Sequence, residues 1–279
     1  MDISSALRRD SKYSMRRVFM IKISPSFLLL SFVLFLFVSS ETRAVNITVT
    51  TADDIISTDG QCSLREAIIS ANADLVGLSV FGECDLGSGD DEITFDPSLN
   101  GIPIELSIVG SDEDDSLTGD LDIFTNITFT GNGIDNTVID ANSIDRVFHI
   151  FGTSTQVTMT QLTITGGLLN DTFGAGISNS GTLLLDNVSV HTNVVTGTVS
   201  FATGGGVWNG GALDIFKTTI DNNSADRGGG IFSNNDLEIA QSTISNNMAR
   251  AGGGITNFGM ADISNSTISN NMATNNSGA

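Results

Sequence analysis

The sequence predicts an all-β fold, a single-stranded parallel β-helix that begins with a short capping helix. Three observations support this prediction. The octet Ser-Thr-Ile-Ser-Asn-Asn-Met-Ala at 242–249 recurs unchanged at 266–273, so each of its letters recurs at i+24. Gly-Gly-Gly runs at 204–206, 228–230 and 252–254 repeat with the same period. Leu-x-Ile pairs follow two of the glycine runs. A fixed period of this size indicates a stacked array of coils.

Each repeat unit contains three short apolar clusters separated by glycine or by Asn-Asn. The Leu-x-Ile pairs alternate as strands do, and no segment between clusters is long enough for a helix. We therefore expect three short strands and three turns per coil, with coils stacked about 4.8 Å apart. Isoleucines then fill the interior, and asparagines form side-chain ladders. Residues 91–279 would make roughly seven coils at this period.

The first 44 residues are predicted to be a signal peptide. Six basic residues precede an apolar run at 27–38, which has 12 residues and is too short to span a bilayer. Thr42-x-Ala44 resembles a cleavage site, and Met1 or Met15 could be the start. We therefore expect a protein that is secreted or displayed on the cell surface, with no transmembrane helix in the mature chain.

Charge limits the possible partners of the mature chain. Residues 1–44 hold 7 of the 12 Lys and Arg residues and 3 of the 32 Asp and Glu residues. The remaining 5 basic and 29 acidic residues give a net charge of −24. Such a surface repels nucleic acid and attracts cations. We expect no nucleic-acid partner.

An N-terminal cap is predicted over 45–90. Cys62 and Cys84 are the two cysteines of the chain, and export favours a disulfide between them over a metal site. Ser63 and Glu66 have the spacing of a capping box, and the apolar residues that follow lie on one helical face. The open end of a solenoid exposes unpaired strand edges. A helix pinned by a disulfide would cover that end.

The same segment carries a family resemblance. The segments CSLREAI at 62–68 and SANA at 70–73 resemble the N-terminal domain of bacterial secreted right-handed parallel β-helix proteins of the CSLREA type. GDLDI at 119–123, IDRVFHI at 144–150 and LTITGG at 162–167 are similar to the segments that follow it. The Gly-Gly-Gly-Ile and Ser-Thr-Ile-Ser-Asn-Asn units resemble repeats of polymorphic outer-membrane proteins. The resemblance implies a bacterial source, export, a right-handed coil and a pectate-lyase-like fold. It implies no reaction.

Two sets of acidic residues are candidate calcium ligands. Asp214, Glu238 and Asp262 recur with the period of the coils and lie between inward positions, so they should form an outward column. The loop at 111–120 carries the second set, Asp112, Asp114 and Asp115. Both sets could instead be solvated charges. No other cofactor is expected.

A candidate binding patch surrounds an irregular coil. The step from Leu183 to Leu213 is 30 residues, because extra chain follows His191. Insertions in a solenoid often form binding sites. We therefore expect His191, Phe201 and Trp208 to form a contact patch, with a tolerated loop as the plainer interpretation. Arg146 and His149 are interpreted as turn and strand residues, with Arg146 paired to Asp140 or Asp145.

Two functions remain open from the sequence. The first is a non-catalytic adhesion, binding or structural role, with an extracellular polysaccharide or a cell-surface ligand as partner. The alternative is a calcium-assisted polysaccharide lyase or glycoside hydrolase. The mature chain has no tyrosine, one tryptophan and no recognisable catalytic signature, so no catalytic residue is assigned. The sequence stops in mid-coil, so we expect a truncated repeat array or association end to end.

Overall fold

The computed structural model describes residues 44–76, 83–110, 113–197 and 202–274, with the backbone alone for 74–76. These residues belong to one compact unit. The segment assigned to the signal peptide lies outside them, apart from Ala44. Asp112 and Phe201 also lie outside the described residues.

Four parallel sheets run along the solenoid, and we call the two longest sheets A and B. Sheet A has eight strands, which are β1 (Asn46–Val49), β2 (Asp91–Phe95), β5 (Ile127–Thr130), β8 (Gln156–Thr160), β12 (Thr182–Asp186), β16 (Ala212–Phe216), β20 (Leu237–Ala240) and β24 (Ala261–Ser264). Sheet B has seven strands, which are β3 (Ile104–Glu105), β6 (Val138–Asp140), β9 (Thr163–Thr165), β13 (Ser189–His191), β17 (Thr219–Asp221), β21 (Thr243–Ser245) and β25 (Thr267–Ser269).

The remaining two sheets are shorter. Sheet C has six strands, which are β4 (Leu121–Ile123), β7 (Phe148–Ile150), β11 (Ile177–Asn179), β15 (Val207–Asn209), β19 (Ile231–Ser233) and β23 (Ile255–Asn257). Sheet D has five strands, which are β10 (Leu168–Asn170), β14 (Val194–Thr196), β18 (Ser224–Arg227), β22 (Met248–Ala251) and β26 (Met272–Ala273). Neighbouring strands pair in parallel in all four sheets.

The predicted parallel β-helix is therefore confirmed, with two differences in detail. The solenoid has about six turns where roughly seven were expected. A regular coil carries four strands where three were expected, because the segment after Asn-Asn forms the strands of sheet D. The coils also differ in length. From Asp91 onward, residues that pair between successive strands of sheet A are 36, 30, 26, 30, 24 and 24 residues apart in the sequence. The longer step from Leu183 to Leu213 is thus present as predicted.

The predicted capping helix and the predicted disulfide are both present. Helix α1 (Leu64–Val76) begins with a capping box, in which the Glu66 amide donates to Ser63 Oγ and the Ser63 amide donates to the Glu66 carboxylate. Cys62 and Cys84 form a disulfide with their Cα atoms 4.9 Å apart. Strand β1 lies within the predicted cap, yet it pairs with β2, so sheet A begins before residue 91. A short 3-10 helix occupies Pro97–Leu99.

Apolar side chains fill the interior, as the alternating pattern requires. Ile220 and Ile244 are stacked in register and are fully buried. Ile268 continues the same column and is half exposed on the last described coil. The inward positions of the preceding coils form one continuous core, which also includes Leu64, Ala67, Ile68 and Ala71 of α1.

The two asparagines of each Asn-Asn pair have different tasks. Asn246 has a φ of 56°, a left-handed conformation that asparagine tolerates well. Asn247 is buried and its side-chain amide donates to Asn271 Oδ1 at 3.0 Å, while its Oδ1 accepts from Asn223 at 3.1 Å. The predicted asparagine ladder is therefore present. It runs through Asn193, Asn223, Asn247 and Asn271.

Candidate functional site

A polar cleft of about 480 Å³ lies where residues 113–120, which we call the acidic loop, meet sheets C and D. It is formed by the loop that precedes β4, the turn before β7, the strand β7 and the segment around β10. Its ionisable side chains come from the first three of these elements. The lining residues are Glu113, Asp114, Asp120, Ile144, Asp145, Arg146, His149, Leu168, Leu169, Asn170, Thr172 and Phe173.

Asp120 and Arg146 form an ion pair in the cleft, with Nη1 of Arg146 3.1 Å from Oδ2 of Asp120. Burial raises the pKa of Asp120 to about 7, although the charge of Arg146 opposes the shift. The guanidinium thus pairs with Asp120, whereas Asp140 or Asp145 was the expected partner. The backbone amide of Arg146 does donate to Asp145 Oδ1 at 2.8 Å.

Asp122 lies behind these residues and is fully buried. Its Oδ2 accepts a hydrogen bond from the Ser116 amide at 2.9 Å. Its Oδ1 has no hydrogen-bond partner within the described part of the chain. Burial, together with the nearby charge of Asp120, raises the pKa of Asp122 to about 8. At neutral pH the carboxyl group is therefore largely protonated.

His149 follows Asp122 in register on the next strand of sheet C. Its Nδ1 lies 3.7 Å from Oδ1 of Asp122. Burial and the charge of Arg146 lower the pKa of His149 to about 3, so the imidazole is neutral at neutral pH. The contact with Asp122 is therefore not an ion pair. A neutral imidazole beside carboxyl oxygens is a combination that can bind a metal ion.

A row of outward side chains continues from the cleft along sheet C. We call it the sheet C strip, and it consists of the residues that pair in register on five successive strands. Aromatic rings dominate its far end, because Phe173 packs on Trp208 with ring centroids 4.4 Å apart and Phe258 packs on Phe232 at 5.6 Å. The strip residues are Asp122, His149, Ser178, Trp208 and Phe232.

The strip and the cleft are continuous. His149 belongs to both, and Phe173 lines the cleft while it contacts Trp208. The ring of Trp208 lies over Gly210, where an added Cβ would be 2.5 Å from the indole Cη2. Glycine at this position therefore leaves space for the indole ring.

The predicted acidic column has the expected register but does not form a compact group. Asp214, Glu238 and Asp262 are aligned and exposed on sheet A. Over the described residues, two groups of three side chains bring their potential ligand atoms within 4.8 Å of one another, and neither group includes the column. These groups are Asp114 with Asp122 and His149, and Glu113 with Asp120 and Asp122.

The predicted loop and patch contribute to the site only in part. Asp114 belongs to one of the compact groups, whereas Asp115 is exposed and its amide donates to Glu113. His191 lies on sheet B and contacts Thr165 and Thr192, so it is on a different sheet from Trp208. Trp208 is placed beside the cleft by Phe173.

Sequence reasoning did not assign Asp120, Asp122, Arg146 or His149 to a site. A usable signal was present, because these residues lie within the GDLDI and IDRVFHI segments that carry the family resemblance. In the patterns Phe-His-Ile and Val-Trp-Asn, the central residue is more exposed than its two buried neighbours, and the central Asp122 of Leu-Asp-Ile pairs in register with His149. A register between these segments could have aligned the three central residues.

Comparisons with known proteins identify no relative. No family model matches the chain. No curated protein matches it, and no solved structure does. In the described ranges, no helix has both the length and the apolar character needed to cross a membrane.

Proposed function

We propose that this is an exported β-helix protein with a non-catalytic binding role, and that its sheet C strip contacts an extended extracellular polysaccharide. The basic and apolar N-terminal segment supports export, as does the resemblance to secreted proteins of the CSLREA type. The disulfide in the cap is compatible with an oxidising compartment.

The observation that carries the proposal is the in-register row of side chains on one sheet. Neighbouring strands of a sheet are about 4.8 Å apart, and the two partly exposed members of the strip, His149 and Trp208, lie two strands apart along the solenoid. The faces of sugar rings carry C–H groups that pack on aromatic rings, and Trp208 and Phe258 supply such surfaces. The polar cleft at the other end supplies hydrogen-bonding groups for hydroxyls.

Charge indicates the class of polysaccharide. The cleft is lined by four carboxyl groups and one guanidinium, and the chain beyond residue 44 has a net charge of −24. This field repels a polyuronate and is compatible with a neutral polymer or with a polymer of amino sugars. We therefore favour a neutral or amino-sugar polysaccharide over a uronic-acid polymer.

The single tryptophan of the chain provides the test. We expect oligosaccharides of a neutral glucan or of chitosan to change the fluorescence of Trp208 in a saturable manner, and polygalacturonate to have no such effect. Trp208→Ala should abolish binding measured by calorimetry. Phe216→Leu is the matched control, because Phe216 is an aromatic residue of sheet A and does not belong to the sheet C strip.

The same experiment tests the enzymatic alternative. Cleavage of a uronic-acid polymer by elimination would create a carbon–carbon double bond with ultraviolet absorbance. New reducing ends would instead reveal hydrolysis. Either product, if lost in Arg146→Gln, would replace the binding role with catalysis at the cleft. Failure of every polysaccharide to bind would contradict the proposal for the strip.

A further inference from the structure

We propose that Asp114, Asp122 and His149 bind one divalent transition-metal ion of the zinc class at the floor of the cleft. The three side chains come from the acidic loop, from β4 and from β7. The proposal does not depend on saccharide binding, since a metal site can stabilise the cleft by itself.

The distances suit a small ion with nitrogen and oxygen ligands. Zinc lies about 2.1 Å from such ligands, so two ligands of one ion can be up to about 4.2 Å apart. The 3.7 Å between His149 Nδ1 and Asp122 Oδ1 meets this limit. The three ligand atoms lie within 4.8 Å of one another. Asp114 is exposed on its loop, so a small movement of its side chain would complete the approach.

The unpaired oxygen of Asp122 is an independent reason to expect an ion here. Its side chain is fully buried, and Oδ1 finds no hydrogen-bond partner in the described ranges. A buried carboxyl oxygen without a partner is unfavourable. Because Oδ1 lies beside the ring of His149, which lines the cleft, it is directed to the place where an ion would be held.

The second compact group is a weaker candidate because its other carboxylates already have partners. The Glu113 carboxylate accepts from the amides of Asp115, Leu117 and Thr118. Asp120 is paired with Arg146. The group that includes His149 also favours zinc over calcium, since calcium prefers six to eight oxygen ligands and imidazole is a good ligand for zinc.

The test uses zinc and calcium as separate probes with the purified, chelator-treated protein. We expect calorimetry and elemental analysis to give one zinc ion per chain. His149→Asn and Asp122→Asn should each weaken zinc binding by at least about tenfold, since even changes beyond the direct ligands have effects of this size. His191→Asn is the matched control, as His191 is the other histidine of the chain and lies on sheet B.

Cobalt provides a direct readout of the ligand set. We expect Co²⁺ to give visible absorption bands that His149→Asn alters and His191→Asn preserves. If Asp122→Asn does not fold, judged by circular dichroism, His149→Asn carries the test. The proposal is overturned if zinc does not bind at millimolar concentration, if His149→Asn binds zinc as tightly as the unmodified chain, or if calcium binds more tightly than zinc.

Discussion

Arg65 and Asp54 form a bidentate ion pair that is buried. Nε of Arg65 lies 2.6 Å from Oδ1 of Asp54, and Nη2 lies 3.1 Å from Oδ2. Nη1 of Arg65 also donates to the carbonyl oxygens of Ser116 and Asp120, and Nη2 donates to that of Gly119. The capping helix therefore holds the loop that brings Asp120 to the cleft.

Arg65→Met should destabilise the protein by about 3–5 kcal/mol, because it leaves the carboxylate of Asp54 buried without its partner. Arg65→Lys should recover little, since an ammonium group cannot reproduce the five-donor fork. Urea unfolding measures both effects. Arg250→Met is the control, since Arg250 is about half exposed in its pair with Asp226. Equal losses for Arg65→Met and Arg250→Met would show that burial of the Arg65 pair has no special weight.

The disulfide should contribute about 3 kcal/mol to stability, since it closes a separation of 22 residues. Reduction should lower the urea midpoint by the corresponding amount. The double variant Cys62→Ala/Cys84→Ala should show a lowered midpoint that a reducing agent does not change further. Two free thiols in the purified, non-reduced protein, detected by mass spectrometry, would contradict the pairing.

Adjacent asparagines should respond differently to substitution. Asn247→Leu removes the partners of the Asn223 amide and the Ile220 carbonyl, so we expect a loss of about 2 kcal/mol or more. Asn246→Gly should change stability by less than about 0.5 kcal/mol, because Asn246 is exposed and glycine accepts its positive φ. Thermal unfolding of the two variants gives the comparison. A tolerant Asn247 would mean that the ladder contributes little.

Acid should weaken the contact between Asp226 and Arg250. The hydrogen bonds from Arg250 lower the pKa of Asp226 below its ordinary value of 3.8. The stabilisation is therefore present above that ordinary value and is lost as the pH falls through the lower pKa of the folded state. Asp226→Asn should reduce the dependence of stability on pH below about pH 4, where an unpaired aspartate titrates. Asp236→Asn is the control for the loss of one charge, because Asp236 is exposed. If Asp236→Asn reduces the pH dependence of stability as much as Asp226→Asn does, the pair of Asp226 and Arg250 is not its cause.

Gly210→Ala should displace the indole ring of Trp208, because the new Cβ would lie 2.5 Å from it. The emission of the single tryptophan should move to longer wavelength as the ring becomes more exposed. Asn234→Ala is the control, since Asn234 occupies the equivalent turn one coil later and is exposed. An unchanged emission spectrum in Gly210→Ala would show that the ring has room to remain in place.

The regular coils could be predicted from sequence because their spacing is direct evidence of stacking. The fixed period aligned Leu213 with Leu237, and the structure has this register. The fourth strand was not predicted, because Ser-Ala-Asp-Arg at 224–227 lacks an apolar alternation. Its backbone pairs with that of β22 although few of its side chains enter the core.

The cleft could not be predicted by the same reasoning, because the early coils have unequal lengths. On sheet A, Asp91 pairs with Ile127 and Ile127 pairs with Val157, and these two steps differ from each other and from the later repeat. No fixed period therefore relates Asp122 to His149, and their proximity depends on the pairing of β4 with β7. The sequence pattern of β4 also predicts that Asp122 is exposed. In the structure Asp122 is fully buried and accepts a hydrogen bond from Ser116 of the acidic loop.

The regular coils have a consequence for how the molecule can change in length. The segment 228–251 presents at its two faces the same backbone pairings, the same glycine turn and the same asparagine ladder. An in-frame duplication of this segment would therefore insert one more coil without a new kind of junction. The cleft lies among the irregular coils near the cap and would keep its geometry. Such a duplication would lengthen the solenoid at one end while the chemistry at the other end stays unchanged.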